Sequence, residues 1–120
     1  MEEHILVGLS SAPSNARIIR TAATMAAAFG CKFTALFVRT PGYDAMSEEN
    51  KERLRTNTEL AKSLGATVET VFGDDVSYQI AEYARLSGVT KIVVGRSAAT
   101  RKHPWGKPTL TEKLTAIAPN

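Results

Sequence analysis

The chain has 120 residues, 43% hydrophobic and 22% charged, with a formal charge of +3 and a single cysteine. That size suits one globular domain with an ordinary core and leaves no room for two. No membrane span is expected, since no apolar run approaches the ~20 residues one needs, and no secretory signal, since MEEHILVGLS opens with acids and its apolar run is short; Cys31 stands alone, which excludes an internal disulfide and a cysteine-based metal cluster.

In chain order, residues 4–9 read as a buried strand and residues 8–14 as the loop that turns it into a helix, with Ser14 as the expected cap and Pro13 ending the strand pairing. Through residues 15–29, Ile18, Ala22, Met25 and Phe29 fall at i, i+4, i+7 and i+11, and Ile19, Ala23 and Ala26 widen the face. That spacing predicts a core-facing helix ended by Gly30, with Met25 and Phe29 as core residues. Residues 32–38, KFTALFV, form the second predicted strand, broken by Arg39-Thr40-Pro41-Gly42. Ser47 then caps a helix through Leu54, Ala61 and Leu64, closed by Gly65, with Glu48, Lys51, Glu52 and Arg55 on its exposed face. Residues 66–72 read as a third strand, Gly73-Asp74-Asp75 as a turn with a capping acid, and residues 76–86 as a third helix carrying Val76, Ile80 and Ala84 on one side. Gly88 ends it.

Residues 90–95, TKIVVG, are β-branched and lack polar alternation, the pattern of a strand covered on both faces of a parallel sheet. The order β-α-β-α-β-α-β predicts an α/β three-layer sandwich with a doubly wound parallel sheet. Beyond it, Thr109 or Thr111 is expected to cap a last short helix containing Leu110, Leu114 and Ile117. Four strands are expected, with a fifth truncated, which would leave an edge for pairing with a second copy.

In such sheets ligands sit outside the carboxyl ends of the strands, where backbone N–H groups are unpaired. The candidate crevice lies between the ends of the first and fourth strands: Gly8, Ser10 and Ser11 on one side, Gly95, Arg96, Ser97 and Thr109 on the other. Charge points to the leading expectation, docking of a protein partner, with nucleotide sensing at the crevice as the alternative. Residues 1–90 hold nine bases against eleven acids, whereas residues 91–120 hold six bases against Glu112 alone. Arg96, Arg101, Lys102, Trp105 and Lys107 could therefore dock an acidic partner, the alternative being a solvated loop. Trp105, between Pro104 and Gly106, reads as an anchor for that loop or as a partner contact. Nucleic-acid binding is not expected, because the loop lacks interleaved aromatics and a recognition motif. Cys31 reads as a small buried residue and His4 as structural. His4 and His103 are too far apart for a metal motif, and no nucleophile–base pair suggests catalysis.

Gly95-Arg96-Ser97-Ala98, nine residues, then Pro108-Thr109 lies in register with the universal stress protein nucleotide loop G-x2-G-x9-G-[ST], keeping its first glycine and its final hydroxyl. Residues 14–20 (SNARIIR), Phe33-Thr34-Ala35 and residues 89–95 (VTKIVVG) more specifically resemble the universal stress protein domain of KdpD-type sensor histidine kinases, and the resemblance spans nearly the whole chain.

The resemblance implies a cytoplasmic regulatory module that is not itself an enzyme, within a parent kinase of the bacterial inner membrane that controls potassium-uptake genes. It implies partners among universal stress proteins, other domains of the parent, or a second copy, with contact to the membrane only through the parent. No cofactor is expected, and ATP or cyclic di-AMP is the alternative. Three positions depart from nucleotide-binding relatives: Leu9 stands where they carry an acid, Ala98 replaces the second loop glycine, and Pro108 offers no N–H. Related domains that bind cyclic di-AMP carry Ser-x-Ser twenty residues before Phe-Thr-Ala-x-Tyr. Here the spacing holds, but Ala12 and Phe37 replace two of the hydroxyl residues.

Overall fold

The computed structural model describes residues 2–94 and 115–117. Within them the chain runs β1 (His4–Gly8), α1 (Asn15–Phe29), β2 (Lys32–Arg39), a short 3-10 turn (Pro41–Ala45), α2 (Glu48–Ser63), β3 (Thr67–Phe72), α3 (Val76–Ser87), β4 (Lys91–Val94) and β5 (Thr115–Ile117). The helix ends follow local chemistry. Ser47 Oγ accepts the Asn50 N–H at 3.1 Å and Asp75 Oδ1 accepts the Tyr78 N–H at 3.1 Å, each satisfying a first-turn donor. Gly30 and Gly88 close α1 and α3 at φ 59° and 68°, where a side chain would be strained. Ser14 does not cap as expected. Its own backbone is already helical, and its hydroxyl makes no capping bond.

All strands are parallel, in the order β3-β2-β1-β4-β5. The side-chain period of two splits β1 between two cores. Ile5, Val7 and Leu9 join Phe33, Ala35 and Val93 beneath α1 and α2. Leu6 joins Leu36, Val38 and Ile92 beneath α3. Helices therefore cover both faces, and the direction of winding reverses between β1 and β4. In α1 the buried stripe is Asn15, Ile19, Ala22 and Ala26. Met25 packs at its border, whereas Phe29 is 50% exposed, a correction to its expected core place. Phe29 is the last helical residue, and its ring lies against the Lys91 ammonium, 5.7 Å from the centroid.

The end of the chain corrects a second expectation. Residues 115–117 form a strand rather than the end of a helix, pairing Ile92 with Thr115, Val93 with Ala116 and Val94 with Ile117. Thr115 and Ile117 are β-branched, and the open side of β4 offers backbone partners that a short isolated helix would lack. Among the described residues the sheet therefore has five strands where four were expected, with β3 and β5 outermost. Thr109, Leu110, Thr111 and Leu114 lie outside the described residues.

Candidate functional site

The polar loop after β1 is held from behind by three side chains. Asn15, only 4% exposed, donates from Nδ2 to the Gly8 carbonyl at 2.9 Å and accepts the Ser10 N–H on Oδ1 at 3.2 Å. Asn57 of α2, also 4% exposed, donates from Nδ2 to the Ser10 carbonyl at 2.9 Å and the Ala12 carbonyl at 3.5 Å. Arg53 Nη1 donates to the Ser11 carbonyl at 3.2 Å and to Asn50 Oδ1 at 3.1 Å. Within the loop, Ser10 Oγ accepts the Ala12 N–H at 3.2 Å. Buried amides are costly without partners, so these bonds explain how polar residues persist on otherwise apolar helix faces.

In front of the loop is a cleft of about 530 Å³ over the carboxyl ends of β1, β2 and β4. Gly8, Ser10 and Ser11 border it together, with Ile92, Val93 and Val94 across from them and Val76 and Ile80 of α3 on one wall. Among the described residues a Cβ on Gly8 would meet only Ile80 Cδ1, at 3.9 Å, so they leave space for a side chain there. None of the described residues bordering the cleft carries a charged side chain. Leu9 turns its side chain into the larger core while its N–H donates to the Leu36 carbonyl at 2.8 Å.

Tyr43 forms a wall shared with a second cavity of about 440 Å³. Its ring packs edge-on against Phe37 with centroids 5.8 Å apart. The Arg39 guanidinium lies 4.1 Å and the Lys51 ammonium 5.5 Å from the ring centroid, the attraction of cations for an aromatic quadrupole. Arg55 hydrogen-bonds Glu52 on the second cavity's rim and holds that carboxyl below the ordinary glutamate range.

Of the crevice residues expected from sequence, Gly8, Ser10 and Ser11 meet in the cleft, while Gly95, Arg96, Ser97 and Thr109 lie outside the described residues. So do the docking candidates Arg101, Lys102, Trp105 and Lys107, along with His103. Sequence reasoning missed Asn15, Arg53, Asn57 and Tyr43 as parts of this site. A signal for Asn57 was present, because it interrupts the stripe Leu54, Asn57, Ala61 at i, i+3 and i+7. His4 is structural at the other end of β1, and Cys31 is half-buried rather than buried. Among the described residues, no group of three His, Cys, Asp or Glu side chains could hold a metal ion.

No protein-family model matches the chain. It is 42% identical over 95 residues to the sensor protein KdpD of Clostridium acetobutylicum, a match covering 79% of this chain and 10% of that protein. It is 28% identical over 116 residues to KdpD of Escherichia coli, covering 97% of this chain and 13% of that one. The fold is that of a universal stress protein solved in complex with cAMP, at TM-score 0.68 and 22% identity over 98% of this chain and 96% of the other. The chain matches a KdpD universal stress protein domain. The Archaeoglobus fulgidus universal stress protein in complex with dAMP is similar at TM-score 0.55 and 23% identity, over 80% of this chain and 82% of that one. The chain spans about a tenth of the length of the curated KdpD relatives it matches. Among its described residues no helix is long and apolar enough to cross a membrane.

Proposed function

We propose that this chain is the regulatory domain of a KdpD-type sensor histidine kinase and that it reads a small nucleotide in the cleft. The observation that carries this reading is the cleft itself. It lies where the winding of the sheet reverses, the place where open α/β sheets take ligands. At about 530 Å³ it falls within the span of small-molecule sites. It combines apolar walls and Tyr43 with Ser10, Ser11 and backbone edges, a lining that suits a base and a sugar. Two universal stress proteins of this fold hold cAMP and dAMP, which supports a nucleotide as the ligand class.

The described lining lacks charge, so a phosphate would be met by Gly95, Arg96, Ser97 and Thr109, which follow β4 in the sequence. Ala12 and Phe37 withhold two hydroxyls from cyclic di-AMP, so a mononucleotide is the better fit. The role is sensing rather than catalysis, with the phosphotransfer chemistry in other parts of the parent.

Calorimetric titration of the 120-residue chain with AMP, ATP and cyclic di-AMP at physiological salt tests the reading. Binding of AMP or ATP is expected, with stabilisation of about 2.7 kcal/mol at 100 times the dissociation constant. Silence from a folded sample with all three would sink it.

A second reading rests on the excess of six bases over one acid in residues 91–120. Here Arg96, Arg101, Lys102, Trp105 and Lys107 dock an acidic surface of a universal stress protein, of another kinase domain or of a second copy. Reversing charge with Arg101→Glu and Lys102→Glu should weaken that association and leave nucleotide affinity unchanged. Retained association would remove its support.

A further inference from the structure

The loop that borders the cleft is tied to α2, an element that neither precedes nor follows it directly in the chain. Three consecutive loop carbonyls are taken up from that helix: those of Ser10 and Ala12 by Asn57, and that of Ser11 by Arg53. Asn57 sits between Leu54 and Ala61 in the buried stripe, where an apolar residue would satisfy packing alone. A buried amide there is sustained by the two carbonyls it bonds. Neither Asn57 nor Arg53 borders the cleft, so neither would touch a ligand in it.

We infer that Asn57, assisted by Arg53, is a positioning residue of the cleft. By fixing the carbonyls of residues 10–12 toward α2, the pair sets the opposite edge of the loop, with Ser10 and Ser11, at the cleft's border. Asn15 does the same work from α1, but as the first residue of the helix that the loop enters. The clamp from α2 is the nonlocal part, joining residues 47 and 45 positions apart in sequence. This inference deepens the ligand reading above and rests on it for its functional meaning.

Two variants of the 120-residue chain test it. Asn57→Leu keeps the branched shape and removes both N–H donors, whereas Arg53→Met keeps the stem and removes the guanidinium at a half-buried position. Amide hydrogen exchange is read for residues 9–15 and for β1 and β2, alongside affinity for AMP. Exchange over residues 9–15 should rise about tenfold in Asn57→Leu, the weight of one or two hydrogen bonds, while β1 and β2 stay protected. AMP affinity should fall with it, and Arg53→Lys should restore what Arg53→Met loses.

Unchanged loop exchange in both variants would overturn the inference, as would an equal rise across the whole sheet, which marks a merely structural role. Unaltered AMP affinity in both variants, with binding by the parent chain, would also overturn it. If the unsubstituted chain binds none of AMP, ATP and cyclic di-AMP, the ligand reading fails by itself, and loop exchange still decides whether α2 positions the loop. If Asn57→Leu does not fold, Arg53→Met decides.

Discussion

At the amino end of β1, His4 is 8% exposed and its polar atoms are met by the protein itself. The ring bonds Thr34 Oγ1 at 2.8 Å through Nε2 and the Ser87 carbonyl at 3.2 Å through Nδ1, and the His4 N–H donates to Thr90 Oγ1 at 3.0 Å. A carbonyl can only accept, so Nδ1 carries a proton. At the carboxyl end of the same strand, Gly8 opens onto the cleft, and the loop beyond it is bonded on the side facing α1 and α2. One end of the sheet is closed by internal hydrogen bonds and the other is propped open by them. Polar groups that the fold has used up cannot recognise anything else, so a ligand belongs at the open end.

The largest expected effect falls on what both ends share. Leu6 is fully buried in the middle of β1, and Leu6→Ala should cost about 2–5 kcal/mol in urea unfolding. A loss well under that would mean the strand is not the common support of the two ends. Next comes the closed end. His4→Leu leaves the Thr34 hydroxyl and the Ser87 carbonyl without the ring, an expected cost of about 1–3 kcal/mol. Adding Thr34→Val should recover part of it, and a cost that is nil would show the end is not closed by these bonds.

Gly8→Val alters the open end. With Ile80 Cδ1 as the sole near neighbour of a Cβ among the described residues, stability should change by less than about 1 kcal/mol, while AMP binding is lost because the side chain enters the cleft. Unimpaired binding would place the ligand elsewhere.

The smallest effect concerns a surface pair distant from both ends in role. Arg85 hydrogen-bonds Glu82 at 3.0 Å and holds its carboxyl below the ordinary glutamate value. A depressed folded value means the contribution is present above the unfolded glutamate range and is lost as pH falls through the lowered value. Arg85→Gln should therefore return the Glu82 titration, followed by NMR, to the ordinary range without a measurable change in urea midpoint. A titration unmoved by the variant would remove the pair as its cause.

Much of the fold was legible because its signals are local. The extent of α1, the Gly30 and Gly88 stops, and the Ser47 and Asp75 caps each depend on a few neighbouring residues and appear where expected, while the buried stripe of α1 centres on Ile19, Ala22 and Ala26 instead of Ile18, Met25 and Phe29. What sequence did not show depends on contacts between distant segments. Phe29 fits the apolar spacing but overhangs the end of its helix, and Thr115 to Ile117 become a strand because β4 offers them an edge. Gly8, Ser10 and Ser11 could be placed from the strand-end rule alone. Asn57 and Tyr43 could not, since their place at the site follows from how α2 and the 3-10 turn fold back on the first loop.

The most direct test of the account is an NMR titration of the isotope-labelled 120-residue chain with AMP, following every assigned backbone amide. Saturable shifts centred on Gly8, Ser10, Ser11 and Val94, with His4 and Thr34 at the closed end unmoved, are the predicted result. No shifts, or shifts confined to the basic residues 96–107, would contradict the claim that the open end of the sheet is a nucleotide site.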